Sequence, residues 1–179
     1  IIKFDETNWT VYDTTNSELP SNHIECITVG ELGNIWIGTI PEYDNNSEEF
    51  IGGGVAKYDG INWTVYNESN SGLPSNRIRS ITNDKNGSIW ISSVSGVTEF
   101  DGVDWKLFDM NNSGLPSNNI SNIYIDKSGN MWLTTGICGW GCYGDGLVKF
   151  DGIEWTVFNE QNSGLLSNFV TGVLADRNN

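Results

Sequence analysis

Three observations predict an all-β fold assembled from repeated four-stranded antiparallel units. A seven-residue phrase occurs four times: Asn16-Ser17-Glu18-Leu19-Pro20-Ser21-Asn22, then NSGLPSN at 70–76 and 112–118, and NSGLLSN at 162–168. Tryptophan recurs at Trp9, Trp63, Trp105 and Trp155, with spacings of 54, 42 and 50 residues, each in a Trp-x-x-aromatic segment just before the phrase. Between phrases lie short apolar runs separated by turn residues, among them Asp-Gly at 59–60, 101–102 and 151–152, a dipeptide of tight hairpins. A period of about 40 to 50 residues holding four strands is the mark of a β-propeller blade. The chain holds about four blades' worth, three complete plus a split partial one, as expected of a fragment or of half a larger ring.

Taken in order, residues 2–4 and 9–12 read as two strands joined by a polar turn. The first connector leads to a blade of strands 24–29, 35–38, 55–58 and 63–66. The second blade follows at 78–82, 89–92, 97–100 and 105–108, and the third at 120–125, 131–134, 147–150 and 155–158. A last inner strand is expected over 170–174. The units of this single partial propeller are 1–13 (two outer strands), 23–66, 77–108, 119–158 and 169–179 (inner strand only). The connectors carry turn chemistry at both ends, and their one apolar residue (Leu19, Leu73, Leu115 or Leu165) is expected to plug into the core. A second tryptophan series, Trp36, Trp90 and Trp132, sits on the second strand of each blade. Both series read as inter-blade core rather than as ligand stackers, because bulky aromatics cover the faces of small sheets. The Asp residues of the turns read as turn formers, since the ligand series of a calcium loop is incomplete.

The formal net charge is −14, from 23 acids against nine Lys and Arg. That excludes a nucleic-acid partner, whose phosphates need a basic footprint. No stretch approaches the roughly 20 apolar residues of a membrane span, and no signal peptide is visible at an end that opens in mid-repeat. Of three cysteines, Cys26 lies in an apolar strand and reads as a buried small hydrophobe. Cys138 and Cys142 share one Gly-rich loop and read as a local disulfide, with free thiols as the alternative and half a zinc site ranking last, since no second Cys or His pair completes it. A disulfide there would imply an oxidising compartment.

The unit is Ile-x-x-Ile-x-x-Asp-x-x-Gly-x-x-Trp-Ile, a loop, Gly-Val/Leu-x-x-Phe/Tyr-Asp-Gly-x-x-Trp-x-x-Phe/Tyr, and the Leu-Pro-Ser-Asn connector. It closely resembles the two-component-regulator propeller repeat. The resemblance implies a large propeller from the periplasmic sensor half of a hybrid histidine kinase, many of which sense polysaccharide fragments in gut bacteria. It thus implies a periplasmic or extracellular location and a sensing or binding function. Family sensors usually carry many more blades than are counted here. Open apolar edges at both ends would be a pairing hazard, and a head-to-tail homodimer completing a ring would bury them.

In a propeller, the connectors and the loops between second and third strands emerge on one face. Both long insertions, 39–54 and 136–146, therefore share the connector face, and loops on a rigid scaffold are where binding usually lives. The ligand-binding candidates are Tyr43 and Glu48 in the first insertion and Trp140, Tyr143 and Asp145 in the second. His23 and Arg77, at the starts of inner strands, are expected near the rim of the central channel. Aromatics beside acids and amides suit a sugar, whose ring stacks on the π-face while its hydroxyls bond the polar groups. The sequence thus reads as a ligand-binding sensor fragment for a glycan or small molecule. The alternative is a structural or protein-interaction propeller, and a propeller-type lyase or hydrolase ranks last. No catalytic triad, metal cluster or cofactor motif is visible.

Overall fold

The computed structural model describes residues 1–138 and 141–175, the side chains of Ile137 and Cys138 excepted. It contains no helix among these residues. A two-stranded pair, β1 (Ile2–Phe4) and β2 (Trp9–Val11), opens the chain. The first blade is a meander of β3 (Ile24–Val29), β4 (Ile35–Thr39), β7 (Gly54–Tyr58) and β8 (Trp63–Tyr66). Its insertion forms a hairpin of its own, β5 (Glu42–Asp44) with β6 (Glu49–Ile51). The second blade is β9 (Ile78–Asn83), β10 (Ile89–Ser93), β11 (Gly96–Phe100) and β12 (Trp105–Phe108). The third is β13 (Asn122–Ile125), β14 (Met131–Thr134), β17 (Leu147–Phe150) and β18 (Trp155–Phe158), with β15 (Ile137–Cys138) and β16 (Cys142–Tyr143) as its inserted hairpin.

Period-2 side-chain alternation gives each blade two faces, and each face meets the next blade. Trp36, Val55, Leu73 and Ile78 pack together between the first and second blades. Trp90, Val97, Phe108, Leu115 and Leu133 do the same between the second and third. A smaller cluster of Leu19, Ile37 and Ala56 joins β1–β2 to the first blade. The fourth-strand tryptophans stack on the third strand of their own blade: Trp63 on Tyr58 at 4.6 Å, Trp105 on Phe100 and Trp155 on Phe150 at 4.3 Å each. They also reach the fourth-strand aromatic of the preceding blade, as Trp105 does Tyr66 (5.3 Å) and Trp155 does Phe108 (5.7 Å). The indoles are therefore mortar between blades.

Two expectations need correction. Residues 170–174 form no strand, because no described strand lies alongside to complete a ladder; the Val170 carbonyl instead accepts the Gly136 N–H at 3.1 Å. The inner strand of the third blade starts at Asn122 rather than at residue 120. Ile120 is diverted there, since its N–H donates to the Ser93 carbonyl of the second blade at 3.3 Å.

Candidate functional site

The connectors are folded modules. In each, the amide of Asn16, Asn70, Asn112 or Asn162 accepts the N–H three residues back and donates to the carbonyl five residues back. The next serine donates its hydroxyl to the carbonyl four residues back. The closing Asn22, Asn76, Asn118 or Asn168 accepts the N–H eight residues earlier, at 2.8 to 3.0 Å. The polar residues of the phrase thus satisfy backbone groups that a turn would leave bare, and they lay down a level platform.

The insertions stand on this platform. Gly53 N–H donates to the Pro20 carbonyl at 3.2 Å, and a Cβ on Gly53 would run into the Asn76 carbonyl, so the β5–β6 hairpin sits between the first and second connectors. Gly146 N–H donates to the Asn168 carbonyl at 3.0 Å, which seats the second insertion against the fourth connector. Glu42 ties the first hairpin down. Its carboxylate accepts the Ser21 hydroxyl and the Asn22 N–H at 2.8 Å each, and these bonds hold its pKa below the usual carboxylate value. Glu68 and Glu160 play the same role within their own connectors by accepting the N–H of Asn76 and Asn168. The first connector has Thr14 at that position, and the insertion supplies the missing acid from 20 residues beyond Asn22.

Tyr43 and Phe50 lie opposite each other across the hairpin, both exposed, in edge contact at 5.4 Å. Glu48 takes a positive φ of 57° at the tip, where the Asp44 carboxylate accepts bonds from Asn46 and Ser47. A cavity of about 260 Å³ opens beneath, lined by Thr14, Pro20, Ser21, Glu42, Ile51 and Gly52. In the second insertion Tyr143 is exposed, and the Asp145 N–H donates to the Thr135 hydroxyl at 2.8 Å. Trp140 lies outside the described residues. Cys138 and Cys142 are direct partners in the β15–β16 register, but the Cys138 side chain also lies outside them. His23 and Arg77 are exposed, and the backbone N–H of each is bonded by the serine two residues before it. His23 joins the first insertion through Glu42, whose carboxylate its backbone N–H helps to stabilise. Among the described residues, no group of three or more His, Cys, Asp or Glu could hold a metal ion, and no helix is long and apolar enough to cross a membrane. The role of Glu42 was not visible in the sequence, because the position that holds Glu68 and Glu160 is occupied by Thr14 in the first connector and by Met110 in the third.

Stacked four-stranded meanders joined by a repeated connector define a propeller-repeat protein. Residues 18–40, 72–95 and 114–136 match the two component regulator propeller family. No curated protein sequence matches it. Among solved structures, it is similar to the extracellular domain of BT3049 of B. thetaiotaomicron, titled a hybrid two component system, at 25% identity and a TM-score of 0.57. The match covers 93% of this chain and 26% of that one. It is also similar in fold to PorZ of Porphyromonas gingivalis, titled a surface component of the type-IX secretion system, at 18% identity and a TM-score of 0.64. That match covers 93% of this chain and 25% of PorZ. The chain therefore spans about a quarter of the length of each.

Proposed function

We propose that this chain is the ligand-binding portion of a sensor propeller, placed outside the cytoplasm, that recognises a glycan or other small molecule on its connector face. The observation that carries the reading is that both inserted hairpins stand on that face with exposed Tyr43, Phe50 and Tyr143 beside carboxylates and amides. Such a surface offers stacking planes and both donors and acceptors, the requirements of a sugar ring. The extracellular domain of BT3049, similar over 93% of this chain, supports the location and the sensory role. The module binds rather than catalyses, and it works without a cofactor.

The test is a thermal-shift screen against plant and host oligosaccharides. Binding to the folded state raises the melting temperature by linkage, and Tyr43→Ala with Tyr143→Ala should remove the gain. A gain that survives both changes would move the site off this face. A second reading, a protein-interaction surface, is favoured by the exposed apolar pair Phe50 and Ile51 at the hairpin edge. It predicts that no sugar shifts the melting temperature. In either reading, two chains can also meet head to tail through their open blade faces.

A further inference from the structure

The two complete blade junctions each carry a half-open cavity on the face opposite the connectors, between the first turn of one blade and the turns of the next. The cavity between the second and third blades measures about 260 Å³ and that between the first and second about 340 Å³. They are built in the same register: Trp90, Phe108, Gly129 and Phe150 in one stand where Trp36, Tyr66, Gly87 and Phe100 stand in the other.

Their chemistry differs at the indole. In the second blade Trp90 Nε1–H donates to Asp84 at 3.2 Å, and in the third Trp132 Nε1–H donates to Asp126 at 3.0 Å. The corresponding residue of the first blade is Gly30. A Cβ there would lie 3.1 Å from Trp36 Nε1, so the absent side chain is what leaves room beside the indole. No described group accepts the Trp36 N–H, although the residue is 4% exposed. Among the described residues Ser92 Oγ is the one buried side-chain polar atom left without a partner; the Trp36 N–H instead opens onto the cavity, where an entering group can accept it. Tyr66 adds a second departure: it replaces the Phe108 and Phe158 of the other blades and brings a hydroxyl to the same wall. Around these lie the carboxylates of Glu31 and Asp101, the Lys57 ammonium 5.4 Å from the Trp36 ring centre, and the apolar Leu32 on the lip.

We infer that the junction between the first and second blades is a separate binding site for one neutral pyranose ring, with Trp36 Nε1–H and the Tyr66 hydroxyl as its orienting groups. The mixed charge of the wall disfavours an anion, and Lys57 already occupies the cation position over the indole. What remains is a small ligand with an acceptor oxygen for the indole, hydroxyls to donate to the carboxylates, and an apolar C–H face for Phe100 and Leu32. The volume is at the small end of ligand pockets and matches one ring rather than a chain. This site goes beyond the connector-face reading and does not depend on it.

The experiment follows the indole N–H resonances of the ¹⁵N-labelled full chain while the methyl glycosides of glucose, galactose, mannose, fucose and xylose are titrated in. The Trp36 resonance should move and saturate with at least one of them, while the Trp90 and Trp132 resonances, held by Asp84 and Asp126, stay. Gly30→Asp gives the first blade the acid that the other two have, and it should weaken that titration roughly tenfold, the loss of about one hydrogen bond. Tyr66→Phe, which reproduces the other blades and leaves the core intact, should weaken it by a smaller factor. Tyr43→Ala and Tyr143→Ala should leave it unchanged, which separates this site from the connector face. The inference is overturned if no glycoside moves the Trp36 resonance of the folded chain, or if Gly30→Asp and Tyr66→Phe bind as the parent does.

Discussion

Gly72 and Gly114 hold the third position of their connectors, and a Cβ on either would run into the Cβ of Trp105 or Trp155 in the following blade. Gly164, at the same place in the last connector, has nothing within 4 Å. At Gly72 and Gly114 the glycine is thus set by the indole that packs on it, whereas the first connector carries Glu18 at this position. Gly72→Ala and Gly114→Ala should each cost about 1 to 3 kcal/mol through overpacking, and Gly164→Ala should be neutral within about 0.5 kcal/mol. Urea melts of the three variants measure this directly. The turn aspartates act on the same scale. Asp5, Asp59, Asp101 and Asp151 each accept backbone N–H groups two and three residues ahead, and these bonds lower their pKa values. A carboxyl depressed in the folded state adds stability above its unfolded value, about 3.9 for Asp, and loses it as pH falls through the lower folded value. The melting temperature should therefore hold steady down to that region and fall below it. Asp151→Asn keeps the turn but removes one titration, so its acid limb should be shallower.

At the scale of elements, the connector leucines divide by what lies over them. Leu19, Leu73 and Leu115 are buried between blades, whereas Leu165 is half-buried and its neighbour Leu166 is fully exposed. Leu73→Ala should cost about 2 to 4 kcal/mol, in the range for a buried leucine that leaves a cavity. Leu165→Ala should cost under about 1 kcal/mol. Equal losses at both positions would show that the plug works locally and not through the next blade. The connectors and the twelve blade strands were legible because each was written three or four times, so that Asp-Gly at one turn explained the next. The two inserted hairpins, β5–β6 and β15–β16, were read as loops, since each occurs once and neither alternates clearly. The capping role of Glu42 was equally hidden, because it depends on a contact that skips 20 residues. The freed indole of Trp36 could have been found by aligning Gly30 with Asp84 and Asp126, a gap in the repeat rather than a motif. Cys138 and Cys142 sit opposite each other in a two-residue ladder. A disulfide there should appear as two fewer alkylated thiols by mass spectrometry until reductant is added.

On the scale of the whole molecule, the third blade reveals what a junction does. Trp36 and Trp90 are nearly covered and Val55 and Val97 fully so, while Trp132 and Leu147 at the same positions are half-buried. At the other end, β1–β2 leaves Ile2, Phe4, Trp9 and Val11 exposed, with Phe4 and Trp9 stacked at 4.5 Å in the arrangement of Tyr58 and Trp63. These two surfaces are the trailing and leading sides of a junction that the chain makes internally. Each therefore carries the shape its counterpart needs, and heterologous contact between copies is the expected result. Light scattering on the 179-residue chain should show a mass that rises with concentration, and Trp9→Ala should lower it. Ring closure by two chains would cap that rise at twice the monomer mass, whereas continued growth would mean that the rotation per junction does not close. A mass that stays monomeric throughout would sink the idea, and it would locate the deficit in the leading side. That side has two outer strands but no paired inner ones, because 170–175 stays unladdered. The first and second strands of the second blade contribute the fully buried Ile78 and Ile91 to its core. A leading side without them has aromatic rim but little aliphatic centre, so association through it should be weak and reversible rather than obligate.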